Sequence, residues 1–115
     1  MAYHGAVRWL IVAIVVVFAA TGGLLLWLHT PPKPHSVTLS WQAPAVKPGS
    51  RIVGYNVYRR AEDGLPFVKI ADRVPEPHYE DPLVASGRTY VYAVTSVDQS
   101  GRESRFSQIA RATIP

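Results

Sequence analysis

The chain changes its hydrophobic period once, and the change divides it. From Trp9 to Leu28 all 20 residues are uncharged, with no Asp, Glu, Lys, Arg or His. From Ser36 onward, apolar and polar positions alternate instead. A helix as long as the first run spans ~30 Å, about one bilayer core. Trp9 and Trp27 stand near its ends, where indoles favour the membrane–water interface. The run therefore predicts a transmembrane helix or signal anchor over residues 9–28, after a short tail, residues 1–8. A cleaved signal peptide is the competing reading, with cleavage near Ala19 or Ala20. The chain stays apolar beyond that point, through Leu24–Leu28, which favours the anchor. Arg8 and the N-terminal amine on one side outweigh Lys33 on the other. The positive-inside rule then places the N-terminus in the cytoplasm and the rest outside.

The second pattern predicts strands. Val37, Leu39 and Trp41 alternate with Ser36, Thr38 and Ser40, the mark of a half-buried strand. Residues 52–60 form another, with Tyr55 and Val57 on one face and Asn56 and Tyr58 on the other. Gly54 suggests a bulge in it. Residues 67–71 give a short strand, and 89–97 the longest. On that longest strand Tyr90, Tyr92, Val94 and Ser96 share one face, and Val91, Ala93, Thr95 and Val97 the other. A last strand is expected over 107–114. Turn chemistry separates these runs: Lys47-Pro48-Gly49-Ser50, Glu62-Asp63-Gly64 and Asp98-Gln99-Ser100-Gly101. Pro75, Pro77 and Pro82 break the chain around His78-Tyr79-Glu80 into irregular pieces. No helical period follows the first run, so the pattern predicts an all-β antiparallel sandwich.

Residues 29–35, His-Thr-Pro-Pro-Lys-Pro-His, join the two parts. Three prolines impose an extended path, so the segment reads as a stiff linker. The domain proper is residues 36–115.

Residues 36–115 resemble the fibronectin type III family. The resemblance rests on Leu39-Ser40-Trp41-Gln42-Ala43-Pro44, on Gly54-Tyr55-Asn56-Val57-Tyr58-Arg59, and on Val84 to Tyr90 followed by Tyr92, Val94 and Val97-Asp98. It implies a sandwich with Trp41 buried and Tyr90 closing a corner over Val84. Val84 and Ser96 stand where the family usually has Leu and Ala. The family's first strand falls where this chain has its prolines and its apolar run. The expected fold is thus a fibronectin type III-like sandwich with strand A reduced or missing, plus one N-terminal transmembrane helix. Ser36, Thr38 and Ser40 would then lie on an open edge, inviting self-association or an extended peptide.

Composition narrows the function. Twelve Lys and Arg against eight Asp and Glu give a net charge of +4, with the signs interspersed, so nucleic acid is not an expected partner. Cysteine is absent, which removes disulfides, thiolate metal sites and cysteine nucleophiles. His4, His29, His35 and His78 show no metal-ligand spacing. No phosphate loop or nucleophile elbow occurs, and no cofactor or enzymatic activity is expected. Gly101-Arg102-Glu103-Ser104 lacks the Arg-Gly-Asp order of adhesive family members. The candidate partner face is Tyr58, Val91, Ala93 and Phe106. The expectation is a single-pass membrane protein presenting a non-catalytic binding or scaffolding domain outside the cytoplasm. Its partners would be the lipid bilayer and a protein or carbohydrate. Two alternatives stand beside it: a secreted accessory domain released by signal cleavage, and a small subunit of a larger membrane complex.

Overall fold

In a computed structural model, seven strands form two sheets. The structure describes residues 11–16, 35–62 and 64–115. The strands are β1 (Ile11–Val16), β2 (Ser36–Trp41), β3 (Ile52–Ala61), β4 (Val68–Val74), β5 (His78–Asp81), β6 (Thr89–Asp98) and β7 (Ala110–Thr113). One sheet has the order β1-β2-β5, the other β4-β3-β6-β7, and every pairing is antiparallel.

Alternation does most of the work. Val37, Leu39 and Trp41 of β2 point into the sandwich and are buried. They meet Tyr55 and Val57 of β3, Tyr90, Tyr92 and Val94 of β6, and Ala112 and Ile114 in one cluster. Trp41 packs edge-on against Tyr55, with ring centroids 5.4 Å apart and planes at 72°. That geometry suits the ring quadrupoles. The register of β3 against β6 slips between Ile52 and Gly54, where the sequence places a bulge. Gly54 suits the crowding there: a Cβ would stand 3.0 Å from the Cα of Arg73. Arg73 itself has a φ of 52°, and the Asn56 side-chain carbonyl accepts its N–H at 2.9 Å.

Five expectations change. The helix expected over 9–28 lies mostly outside the described residues. Within it, Ile11–Val16 form a strand, five of whose six residues are β-branched, a composition that suits strands. Among the described residues no helix is long and apolar enough to cross a membrane. Strand A is consequently present, supplied from the apolar run rather than from the proline segment. The open edge is corrected with it: Ser36, Thr38 and Ser40 stand opposite Val16, Ile14 and Val12. Unpaired backbone groups on β2 attract an extended neighbour, and β1 fills that role here.

The remaining two concern β5 and β7. The proline-flanked residues 78–81 form a true edge strand, paired with β2 from Val37–Asp81 to Ser40–His78. The last strand is shorter than expected. Before β7, the chain follows β6 through serines. Ser104 and Ser107 hydroxyls accept the N–H groups of Ser96 and Val94 at 2.8 and 2.9 Å. Their own N–H groups donate to the Ser96 and Val94 carbonyls, both at 2.8 Å. Side-chain oxygens thus replace the backbone carbonyls of a regular ladder.

Candidate functional site

The outer face of the four-stranded sheet carries the candidate site. Outward positions on β3 are Tyr58 and Arg60, which stand opposite Ala93 and Val91 of β6. Val91 also faces Arg111 of β7. The expected stripe of Tyr58, Val91, Ala93 and Phe106 is therefore only half exposed. Val91 and Ala93 are 0% accessible: Val91 sits between Arg60 and Arg111, and Ala93 beside Tyr58. Tyr58 is half-buried and Phe106 is 46% exposed. Tyr58 and Phe106 meet edge-on at 5.0 Å, and Phe106 meets Phe67 at 5.1 Å. The Arg60 guanidinium lies 4.7 Å from the Phe67 ring centre, a cation–π contact. Three rings and an arginine thus form one continuous patch.

Beside the rings stands Glu103, bridged to Val97 at the sheet margin. Glu103 Oε2 accepts from Asn56 Nδ2 at 3.1 Å, from Thr95 Oγ1 at 2.6 Å and from the Tyr58 hydroxyl. Burial opposes the charge of this carboxyl, but the donors Thr95, Tyr58 and Asn56 outweigh it and hold its pKa below the ordinary 4.5. Burial first, then the bond to Glu103, pushes the Tyr58 hydroxyl up. The result is a fixed carboxylate at the base of an open hollow of about 460 Å3. Tyr58, Thr95, Glu103, Ser104, Arg105 and Phe106 line it.

A second polar cluster ties the sheets together. Asp81 of β5 is buried, with 3% of its side chain exposed, and pairs with Arg59 of β3 at 2.9 Å. The Tyr92 hydroxyl of β6 donates to it at 2.6 Å, and the Leu83 N–H at 3.1 Å. Burial, then the bond to Asp81, pushes the Tyr92 hydroxyl far above its ordinary range. The corner tyrosine is also in place: the Ala85 N–H donates to the Tyr90 hydroxyl at 2.9 Å, and Val84 packs on the core. These contacts lock the fold.

Spacing in the sequence marked Tyr58 and Phe106. It did not mark Glu103, whose donors lie 8 to 47 residues away. Nor did it mark Phe67 as part of the face; the sequence placed it at the start of a strand, and the structure begins β4 one residue later, at Val68.

The fibronectin type III domain family matches residues 28–113 of the chain. An amylopullulanase of Thermoanaerobacter thermohydrosulfuricus is 41% identical over 76 residues, 66% of this chain and 5% of that protein. One from Thermoanaerobacterium thermosulfurigenes is 44% identical over 59 residues, 51% of this chain and 3% of its own length. The chain thus spans only a small fraction of these relatives. Among solved structures, an Fn3-like protein of Clostridium thermocellum is similar with a TM-score of 0.58 and 34% identity, over 70% of this chain and 77% of that one. A β-1,2-glucanase of Parabacteroides distasonis gives 0.56 and 32%, over 70% of this chain and 11% of its own. With most of its length matched and the buried tryptophan, tyrosine corner and two sheets all in place, the chain belongs to the fibronectin type III domain family.

Proposed function

We propose that this chain is a non-catalytic accessory module that binds a polysaccharide across the Tyr58–Phe67–Phe106 face. On this reading its apolar run holds it at a membrane, with the sandwich on the extracytoplasmic side. The observation that supports it is the ring patch beside the fixed carboxylate of Glu103. Aromatic faces take the C–H surfaces of a pyranose, while a few placed polar groups fix its orientation. Three donors occupy Oε2 of Glu103, which leaves Oε1 for a sugar hydroxyl; Arg105 stands at the same rim. Glycoside cleavage in most families needs two facing carboxylates. Glu103 supplies a single one among the residues lining the hollow. The relatives named amylopullulanase favour a glucan as the polymer.

Membrane attachment rests on the 20 uncharged residues from Trp9 to Leu28. A spanning helix over 9–28 uses Ile11–Val16, so anchoring and β1 exclude one another in any one molecule. Affinity electrophoresis of the detergent-solubilised chain in gels containing pullulan or amylose tests the binding. The wild type should be retarded, Phe106→Ala should migrate freely, and Glu103→Gln should fall between. A wild type that both polymers leave unretarded overturns the reading.

A further inference from the structure

We infer that one end of the sandwich is a lipid-contacting surface, built from residues 64–68 and the 82–88 loop. Among the described residues, the three most exposed large hydrophobic side chains are Leu83 at 76%, Val68 at 60% and Leu65 at 57%. All three lie at this end. Leu65, Pro66 and Val68 share an open hollow of about 550 Å3 with Arg59, Arg60, Ala61, Arg88 and Tyr90. Leu83 adjoins it, since Arg59 Nη1 donates to the Leu83 carbonyl at 2.8 Å. The opposite end is capped by the polar turns 47–50 and 98–102.

The path of the chain selects the occupant. Val16 is paired with Ser36, and Val37 with Asp81, so both boundaries of residues 17–34 lie at the Leu83 end. Those residues include Val17–Leu28, which carry no charge. If β1 is withdrawn into a longer span, the chain still arrives at the same end through His35. The linker 29–35 reaches about 22 Å at most as polyproline. Wherever the apolar run enters lipid, this end of the sandwich is held beside the bilayer and the turn at Ser100 is held away from it. Exposed leucines with arginines at their margin suit that zone: apolar side chains enter the acyl boundary while guanidinium groups stay among the headgroups.

The inference rests on the membrane attachment proposed above, and the test separates the two. The chain has no cysteine, so single labels can be placed at Leu65→Cys, Leu83→Cys and Ser100→Cys. The full chain is reconstituted into phosphatidylcholine–phosphatidylglycerol vesicles. Each label, an environment-sensitive fluorophore, is challenged with brominated lipid and with aqueous iodide. Brominated lipid should quench positions 65 and 83 several-fold more than position 100, and iodide should do the reverse. A chain that does not float with vesicles overturns attachment and this inference together. A chain that floats with all three labels equally open to iodide overturns this inference alone. Labels at 65 and 83 shielded from both quenchers would mean that residues 17–28 cover the hollow instead, which also overturns it. Amide exchange of the unlabelled chain supplies a check free of substitutions. Vesicles should slow exchange in 64–68 and 82–88 and leave 98–102 unchanged; equal exchange everywhere counts against lipid contact.

Discussion

Single residues carry unequal weight in this sandwich, and Asp81 carries much of it. Its carboxylate joins Arg59 and Tyr92 of one sheet to β5 of the other. Removing one partner of a buried pair leaves a charge without compensation, at a cost of ~3–5 kcal/mol. Arg59 keeps 24% of its side chain exposed, so Asp81→Ala should fall at the lower end of that range. Urea unfolding of the full chain in mild detergent measures it. Trp41→Ala removes the largest ring of the core and should cost ~3–5 kcal/mol in the same assay; an unchanged midpoint would deny Trp41 its place in the core. Glu103 gives a pH signature. Its folded pKa lies below the ordinary 4.5. The stabilisation is therefore present above that value and lost as pH falls through the folded pKa. Between about pH 5 and pH 3 the wild-type urea midpoint should drop, and Glu103→Gln should remove its share of that drop.

Among elements, the serine-lined segment before β7 gives the sharpest expectation. Ser107→Ala leaves the buried Val94 N–H without the side-chain acceptor it has at 2.9 Å. An unsatisfied buried donor costs ~1–3 kcal/mol. Amide exchange should quicken at Val94 and remain slow at Ser96, which Ser104 still serves. Elements also show what the sequence could disclose. The strands β2, β3 and β6 were legible because each alternates around core residues such as Leu39, Val57 and Tyr92. The short strand β5 was not: four residues between prolines, two of them acidic, give no period. Burial of Val91 and Ala93 was hidden for another reason. Alternation sorts residues into two faces, but it does not tell when Tyr58, Arg60 and Arg111 flank the outward one closely enough to exclude water. Glu103 was hidden because its three donors converge only through the β3–β6 register. A continuous apolar stretch such as Ile11–Val16 carries no period that separates strand from helix.

At the scale of the whole molecule, the proposed attachment puts the two patterned regions in different surroundings. Leu25→Arg puts a charge into the apolar run, and a charge at the centre of a span costs ~2.5–3.5 kcal/mol on the insertion scale. Leu25 is off centre, so the penalty should be smaller. Flotation of the full chain with membranes should weaken, while Trp41 fluorescence and the urea midpoint stay near wild type. Undiminished flotation would deny the run a spanning role. The ring face meets the Leu83 end at Phe67 and Arg60, but Phe106 lies outside the hollow of that end. Phe106→Ala should therefore abolish retardation by polysaccharide and leave flotation as it was.

The pairing of Ile11–Val16 with β2 has a consequence for delivery. On the proposed attachment, these six residues serve the sandwich or the bilayer, but not both at once. A molecule still in water covers its own sticky edge, as a chaperone acting in cis would. On that attachment, a bilayer that takes up the run would strip the cover away and expose Ser36–Trp41 at its destination. Amide exchange along that strand then reports where each molecule stands: slow before insertion, fast after it, and slow again once another strand has replaced the one that left.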